Sequence, residues 1–109
     1  MIFVYAKAIL ALAHSAPSMG RAAVHGHSYE VWAYEKAEGQ SAEDLQERLV
    51  KVCKQLDHGN LDDLWGPNNG TMENIATYIH LNMPNTRKVL INRPVEGLGC
   101  EANYPLDTP

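Results

Sequence analysis

From Ile2 to Ala13 the chain carries β-branched and aromatic residues early, apolar or small residues almost throughout, and neither Gly nor Pro, which predicts a strand over residues 2–13. That strand should end near His14. The turn and breaker residues in Ser15-Ala16-Pro17-Ser18-Met19-Gly20-Arg21 predict a loop that returns the chain to a second strand from about Val24 to Ala37. The two-residue period of the pleat then sets His27, Tyr29, Val31 and Ala33 on one face, and Ser28, Glu30, Trp32, Tyr34 and Lys36 on the other. The first face is the apolar one and should look inward.

Ser41-Ala42-Glu43-Asp44 has the form of a capping box with Asp44 in place of the usual Glu or Gln, and Leu45, Leu49, Cys53 and Leu56 follow at helical spacing. This helix is expected to end near Asp57-His58-Gly59. A loop containing Asp62, Asp63, Gly66, Pro67, Asn68, Asn69 and Gly70 follows, and Thr71 can cap a second helix with Ile75, Ile79 and Met83 on its apolar side, stopped by Pro84. A short strand over 88–92, a connection over 94–99 and a last strand over 100–104 complete the order ββααββ. The fold class is α+β: one domain over residues 1–109, an antiparallel four-stranded sheet with two helices on one face. Such a sheet keeps two open edges, so pairing of edges into a homo-oligomer is expected.

A net charge of −4 and a pI of about 5.6 argue against nucleic acid, whose phosphate backbone calls for clustered Lys and Arg in excess. Cys53 and Cys100 form no CxxC pair, which suits a reducing cytoplasm better than a disulfide scaffold. The stretch Ala8–Ala13 ends in a small-x-small pattern like a signal-peptidase site. However, Lys7 follows an apolar start instead of heading the segment, and the apolar run is too short for a signal core or a membrane span. A cytoplasmic protein without a membrane partner is expected.

His25-Gly26-His27 carries the strongest chemical signal. Two histidines at i and i+2 on a strand project from one face and can reach one ion, while Gly26 keeps the opposite face clear. His14, at the end of the partner strand, is the natural third ligand. Three imidazoles with a fourth position open describe a catalytic zinc site, although a hydrogen-bonded histidine pair at a strand start shows the same spacing. Asp57-His58 can form a proton-transfer dyad, and a histidine at a helix end also complements the helix dipole. Glu73 in the first turn of the second helix is favourable for the dipole whatever its function. Glu96, among Pro94, Val95, Gly97 and Gly99, has no helix to stabilise and suits either recognition or a solvated loop carboxylate.

Together, Ala13-His14, His25-Gly26-His27-Ser28-Tyr29, Leu56-Asp57-His58 with Leu61-Asp62-Asp63, Asn69-Gly70-Thr71-Met72-Glu73, and Glu96 eight residues before Tyr104 resemble the 6-pyruvoyl-tetrahydropterin synthase and 6-carboxy-tetrahydropterin synthase family over nearly the whole chain. The resemblance implies a tunnelling fold, in which sheets join edge to edge into a barrel of identical subunits, trimers pair into hexamers, and active sites lie between neighbouring chains. It implies His14, His25 and His27 as zinc ligands, Asp57 and His58 as a proton relay, Glu96 as the anchor of a pterin, and Thr71 and Glu73 as further pocket residues. The implied substrate is 7,8-dihydroneopterin triphosphate. One branch of the family makes the pyruvoyl product, and the other makes the carboxy product that feeds queuosine synthesis, the commoner branch in bacteria.

One departure stands out. The family carries a cysteine a few residues before its His-x-His pair, whereas here Arg21 lies four before His25, and Met19-Gly20-Arg21 would match Cys-Gly-Arg only after an insertion. No glutamate takes the place either. The expectation is a zinc-dependent lyase of the 6-carboxy type in which the Asp57-His58 dyad or zinc-bound hydroxide does the thiol's work. The alternative is a non-catalytic homologue that binds zinc and a pterin or purine.

Overall fold

The computed structural model describes residues 1–105, so the last four residues of the expected domain lie outside the described ones. Four antiparallel strands, β1 (Phe3–Ala16), β2 (Arg21–Lys36), β3 (Thr86–Arg93) and β4 (Leu98–Asn103), lie in the order β1-β2-β3-β4. The expected α+β sheet is therefore present, with both members of the hairpin longer than expected and the turn between them shorter. Pro17–Met19 form a single 3-10 turn. Pro suits its first position, and Gly20 closes it at φ 77°, a left-handed conformation that glycine adopts without steric cost.

Alternation assigns the faces as the pattern predicts. Ala6, Ala8, Leu10 and Leu12 of β1, Tyr29, Val31 and Ala33 of β2, and Val89 and Ile91 of β3 are buried beneath the helices. The signal-like stretch Ala8–Ala13 is the middle of β1. No helix among the described residues is long and apolar enough to cross a membrane.

Helix α1 (Ala42–Lys54) starts where Ser41 accepts a hydrogen bond from the Asp44 N–H at 3.1 Å. The Asp44 carboxylate does not reach back to complete the box; it accepts from Arg48 one turn on. Leu45, Leu49, Val52 and Cys53 face the sheet, and burial pushes the Cys53 thiol up to about 12, as befits a small core residue. The expected loop before Thr71 holds a further short helix, α2 (Leu61–Trp65), capped by Asn60, whose side chain accepts from the Asp62 N–H. A five-residue helix carries too little periodicity to register in a sequence pattern, and its Asp62-Asp63 start reads equally well as a polar loop. Helix α3 (Met72–Asn82) is capped by Thr71, which accepts from Asn74, and buries Ile75, Ala76 and Ile79. Among the described residues the α-helices are thus three instead of two.

Between α1 and α2 the chain runs along the outer edge of β1. The Asp57 carboxylate accepts from the Ala11 N–H at 2.9 Å, the His58 N–H donates to Ala11, and the Ala13 N–H donates to Gly59. Residues 57–60 thereby cover the end of an edge strand whose backbone would otherwise lie open.

Candidate functional site

The site lies at the end of the β1–β2 hairpin, beyond the apolar core. Pairing sets Leu12 opposite His27 and His14 opposite His25, which brings three imidazoles onto the helix-bearing face. The register then shifts before Ala16 pairs with Arg21, leaving Ala22, Ala23 and Val24 opposite Ser15 alone. That irregularity turns the Ala23 carbonyl toward His25, whose Nδ1 lies 3.0 Å away. A carbonyl can only accept, so Nδ1 of His25 carries the proton and Nε2 is left as a bare lone pair. The Glu96 carboxylate does the same for His27, with Oε1 at 3.2 Å from Nδ1.

The three rings sit 4.6 to 5.1 Å apart between centroids, and one ligand atom from each lies within 4.8 Å of the others. Nε2 of His14 and Nε2 of His27 are buried with no hydrogen-bond partner among the described residues. Buried imidazole nitrogens seldom go unpartnered, and here two of them converge with a third ring. Burial, then the neighbouring His25 and His27, holds His14 below the ordinary histidine value, and burial, then Arg93, does the same for His27. Both are thereby biased toward the neutral form, the one that ligates a cation. Nitrogen donors on three rigid strand positions, two of them with outer hydrogen-bond partners, fit a metal ion.

The α2–α3 loop closes the site from the side. Asp62 accepts from the N–H of Ser15 at 2.9 Å and from its hydroxyl at 2.5 Å, and its own carboxyl is held below the usual range by these bonds. Asn68, in the left-handed conformation at φ 71°, accepts from the Ser18 N–H and donates its own to Ser15. Gly70 packs directly on His14. Asp62, Gly70 and Arg93 escaped assignment from sequence, although Arg93 was accessible: it continues the inward parity of Val89 and Ile91 past the end of the expected strand.

The remaining expected residues are distributed unevenly. Thr71 caps α3 and Glu73 is exposed in its first turn. His58, 83% exposed, stands at φ 61°, with Nε2 3.5 Å from Asp57. It lines a cavity of about 360 Å³ with Gly59, Leu12, His27, Ala11, Ala13, Gly26 and Ser28, and the last four of these alternate away from the helices. Within one chain His58 thus opens mainly on residues of the hairpin face opposite the one that carries the histidine cluster.

The family model for 6-pyruvoyl tetrahydropterin synthase matches residues 4–92, and the chain belongs to this family. Curated protein sequences give no significant match. Among solved structures, the Caenorhabditis elegans 6-pyruvoyl tetrahydropterin synthase superposes with a TM-score of 0.70 at 18% identity, covering 96% of this chain and 98% of that one. The Plasmodium vivax enzyme gives 0.63 at 18% identity, covering 95% and 100%. A P. vivax variant in which a catalytic glutamate is replaced by alanine gives 0.64 at 19%, covering 94% and 98%. At these identities the likeness shows that the fold is shared.

Proposed function

We propose that the protein is a zinc-dependent lyase acting on 7,8-dihydroneopterin triphosphate, of the 6-carboxy-tetrahydropterin synthase type, assembled as a cytoplasmic homo-oligomer with sites between subunits. The convergence of three imidazoles, two of which hold a buried Nε2 with no hydrogen-bond partner among the described residues, carries this reading. His14, His25 and His27 would hold the ion, and zinc, when bound, supplies a Lewis acid that acidifies the hydroxyls of the substrate side chain.

The chain's own residues account for the rest. Glu96 orients His27 and, as a carboxylate with room for about four donors, can also accept from the N–H groups of a pterin ring. Thr71 and Glu73 stand at the start of α3, close to Gly70 and hence to His14. Asp57 is held by the Ala11 N–H and keeps its other oxygen toward the His58 ring, an arrangement that supports proton transfer at an exposed imidazole. Because that imidazole opens away from its own chain's histidine cluster, it is assigned to the site of an adjoining subunit.

The hairpin tip favours a second reading. Neither a thiol nor a carboxylate stands between Ser15 and Val24, and Met19 there is 80% exposed. A protein without the family's thiol could bind zinc and a pterin or purine without turning it over. Incubation of zinc-loaded protein with 7,8-dihydroneopterin triphosphate, followed by mass spectrometry, separates the two. Time-dependent 6-carboxy-tetrahydropterin supports the lyase, whereas tight binding with the pterin recovered unchanged supports the binder.

A further inference from the structure

Arg93 is the last residue of β3 and shares the inward face with Val89 and Ile91, so its guanidinium is drawn into the site end of the sheet. Its side chain is 15% exposed, and Nε is buried with no hydrogen-bond partner among the described residues. The turn from Arg93 to Leu98 explains what it faces. Gly97, at φ 74°, donates its N–H to the Arg93 carbonyl, which folds Glu96 back until Oε1 lies 3.4 Å from Nη2 of Arg93 and 3.2 Å from Nδ1 of His27. Arg93 also bears electrostatically on His27, His14 and Tyr29.

A guanidinium that only neutralised Glu96 would not need to be drawn inward with a donor unmet, because burying an unpaired N–H is unfavourable. What the pair offers is an acceptor and a donor side by side at the edge of the site. The chemical group complementary to that pair is a lactam edge, a ring N–H next to a ring C=O. The carboxylate accepts from the first and the guanidinium donates to the second.

We propose that Arg93 and Glu96 together read the lactam edge of the bound ring, with Arg93 as the specificity residue that requires an oxo group, and not an amino group, next to the ring N–H. This rests on the pterin reading of the site and sharpens it to 2-amino-4-oxo rings. A 4-amino ring would set an N–H donor against the guanidinium and lack the proton that Glu96 accepts. Discrimination should therefore be large, as it is wherever a site built for one hydrogen-bonding pattern meets its reverse.

The test is equilibrium binding, by fluorescence quenching near neutral pH, of a 2-amino-4-oxopteridine and its 2,4-diamino counterpart to the wild-type protein, Arg93→Met and Arg93→Lys. Circular dichroism would check the fold of each variant. The wild type should prefer the oxo ring by about a hundredfold, Arg93→Met should bind both rings about equally, and Arg93→Lys should keep a reduced preference. If Arg93 merely holds Glu96 in place, Arg93→Met weakens both rings alike with the ratio unchanged, which overturns the inference and leaves the pterin reading standing. Failure of the wild type to bind either ring overturns both. If neither variant folds, Arg93→Gln, which keeps a neutral donor, carries the same comparison.

Discussion

A Cβ on Gly70 would lie 2.7 Å from Cβ of His14 and 3.1 Å from Cβ of Leu61. Those are root atoms of side chains fixed by β1 and α2, so neither can swing aside, and Gly70→Ala must move the strand end, the loop or both. His14, one of the three proposed zinc ligands, makes the shorter of the two contacts. Gly70→Ala should therefore weaken zinc binding by at least about tenfold while leaving the sheet folded, as measured by competition with a chromophoric chelator. Unchanged affinity would mean that the loop shifts alone and His14 is not held by it.

Glu35 is 2% exposed at the far end of β2, and both its oxygens accept from Arg48 at 2.8 Å. The Arg48 hydrogen bonds, against the opposing effect of burial, hold the Glu35 carboxyl below its ordinary 4.5. A folded value below the unfolded one means that this stabilisation is complete above pH 4.5 and is lost as pH falls through the folded value. Arg48, with 39% of its side chain exposed, can be rehydrated, but the carboxylate cannot. Arg48→Ala should thus cost roughly 2–3 kcal/mol near neutral pH, a figure reduced for the exposure of Arg48. It should also abolish the acid-side loss, both readable from urea unfolding at several pH values.

The separation of the Asp57–His58 pair from the histidine cluster leads to a complementation experiment. His25→Ala removes a proposed ligand, His58→Ala removes the proposed base, and neither variant alone should turn substrate over at more than about one part in a hundred of the wild-type rate. Dissociated together and reassembled, the two should recover activity, because some sites then combine an intact cluster from one chain with an intact dyad from another. No recovery in a verified mixed oligomer would place the base within the chain that holds the metal.

Much of this arrangement was legible in the sequence, for reasons of period. The hairpin, its inward face and the shared side of His14, His25 and His27 follow from a two-residue alternation that the structure retains across β1 and β2. The α1 and α3 caps at Ser41 and Thr71 were equally visible, being local. What escaped depends on distance along the chain. Asp62 reaches Ser15 across 47 residues, Gly70 meets His14 across 56 positions of the numbering, and neither the short helix α2 that delivers Asp62 nor the loop that carries Gly70 has a period of its own. The opposite sides taken by His58 and the cluster arise because residues 57–60 run along the edge of β1, a pairing that no spacing encodes.

The claim on which the rest depends is that three imidazoles take one zinc ion. Zinc K-edge X-ray absorption of the protein, equilibrated with one zinc per chain, measures this most directly. Three nitrogen neighbours at about 2.0–2.1 Å with one further light atom are expected, and loss of one nitrogen neighbour in His25→Ala. A sulfur shell at about 2.3 Å, or an all-oxygen shell indifferent to His25→Ala, would contradict that claim.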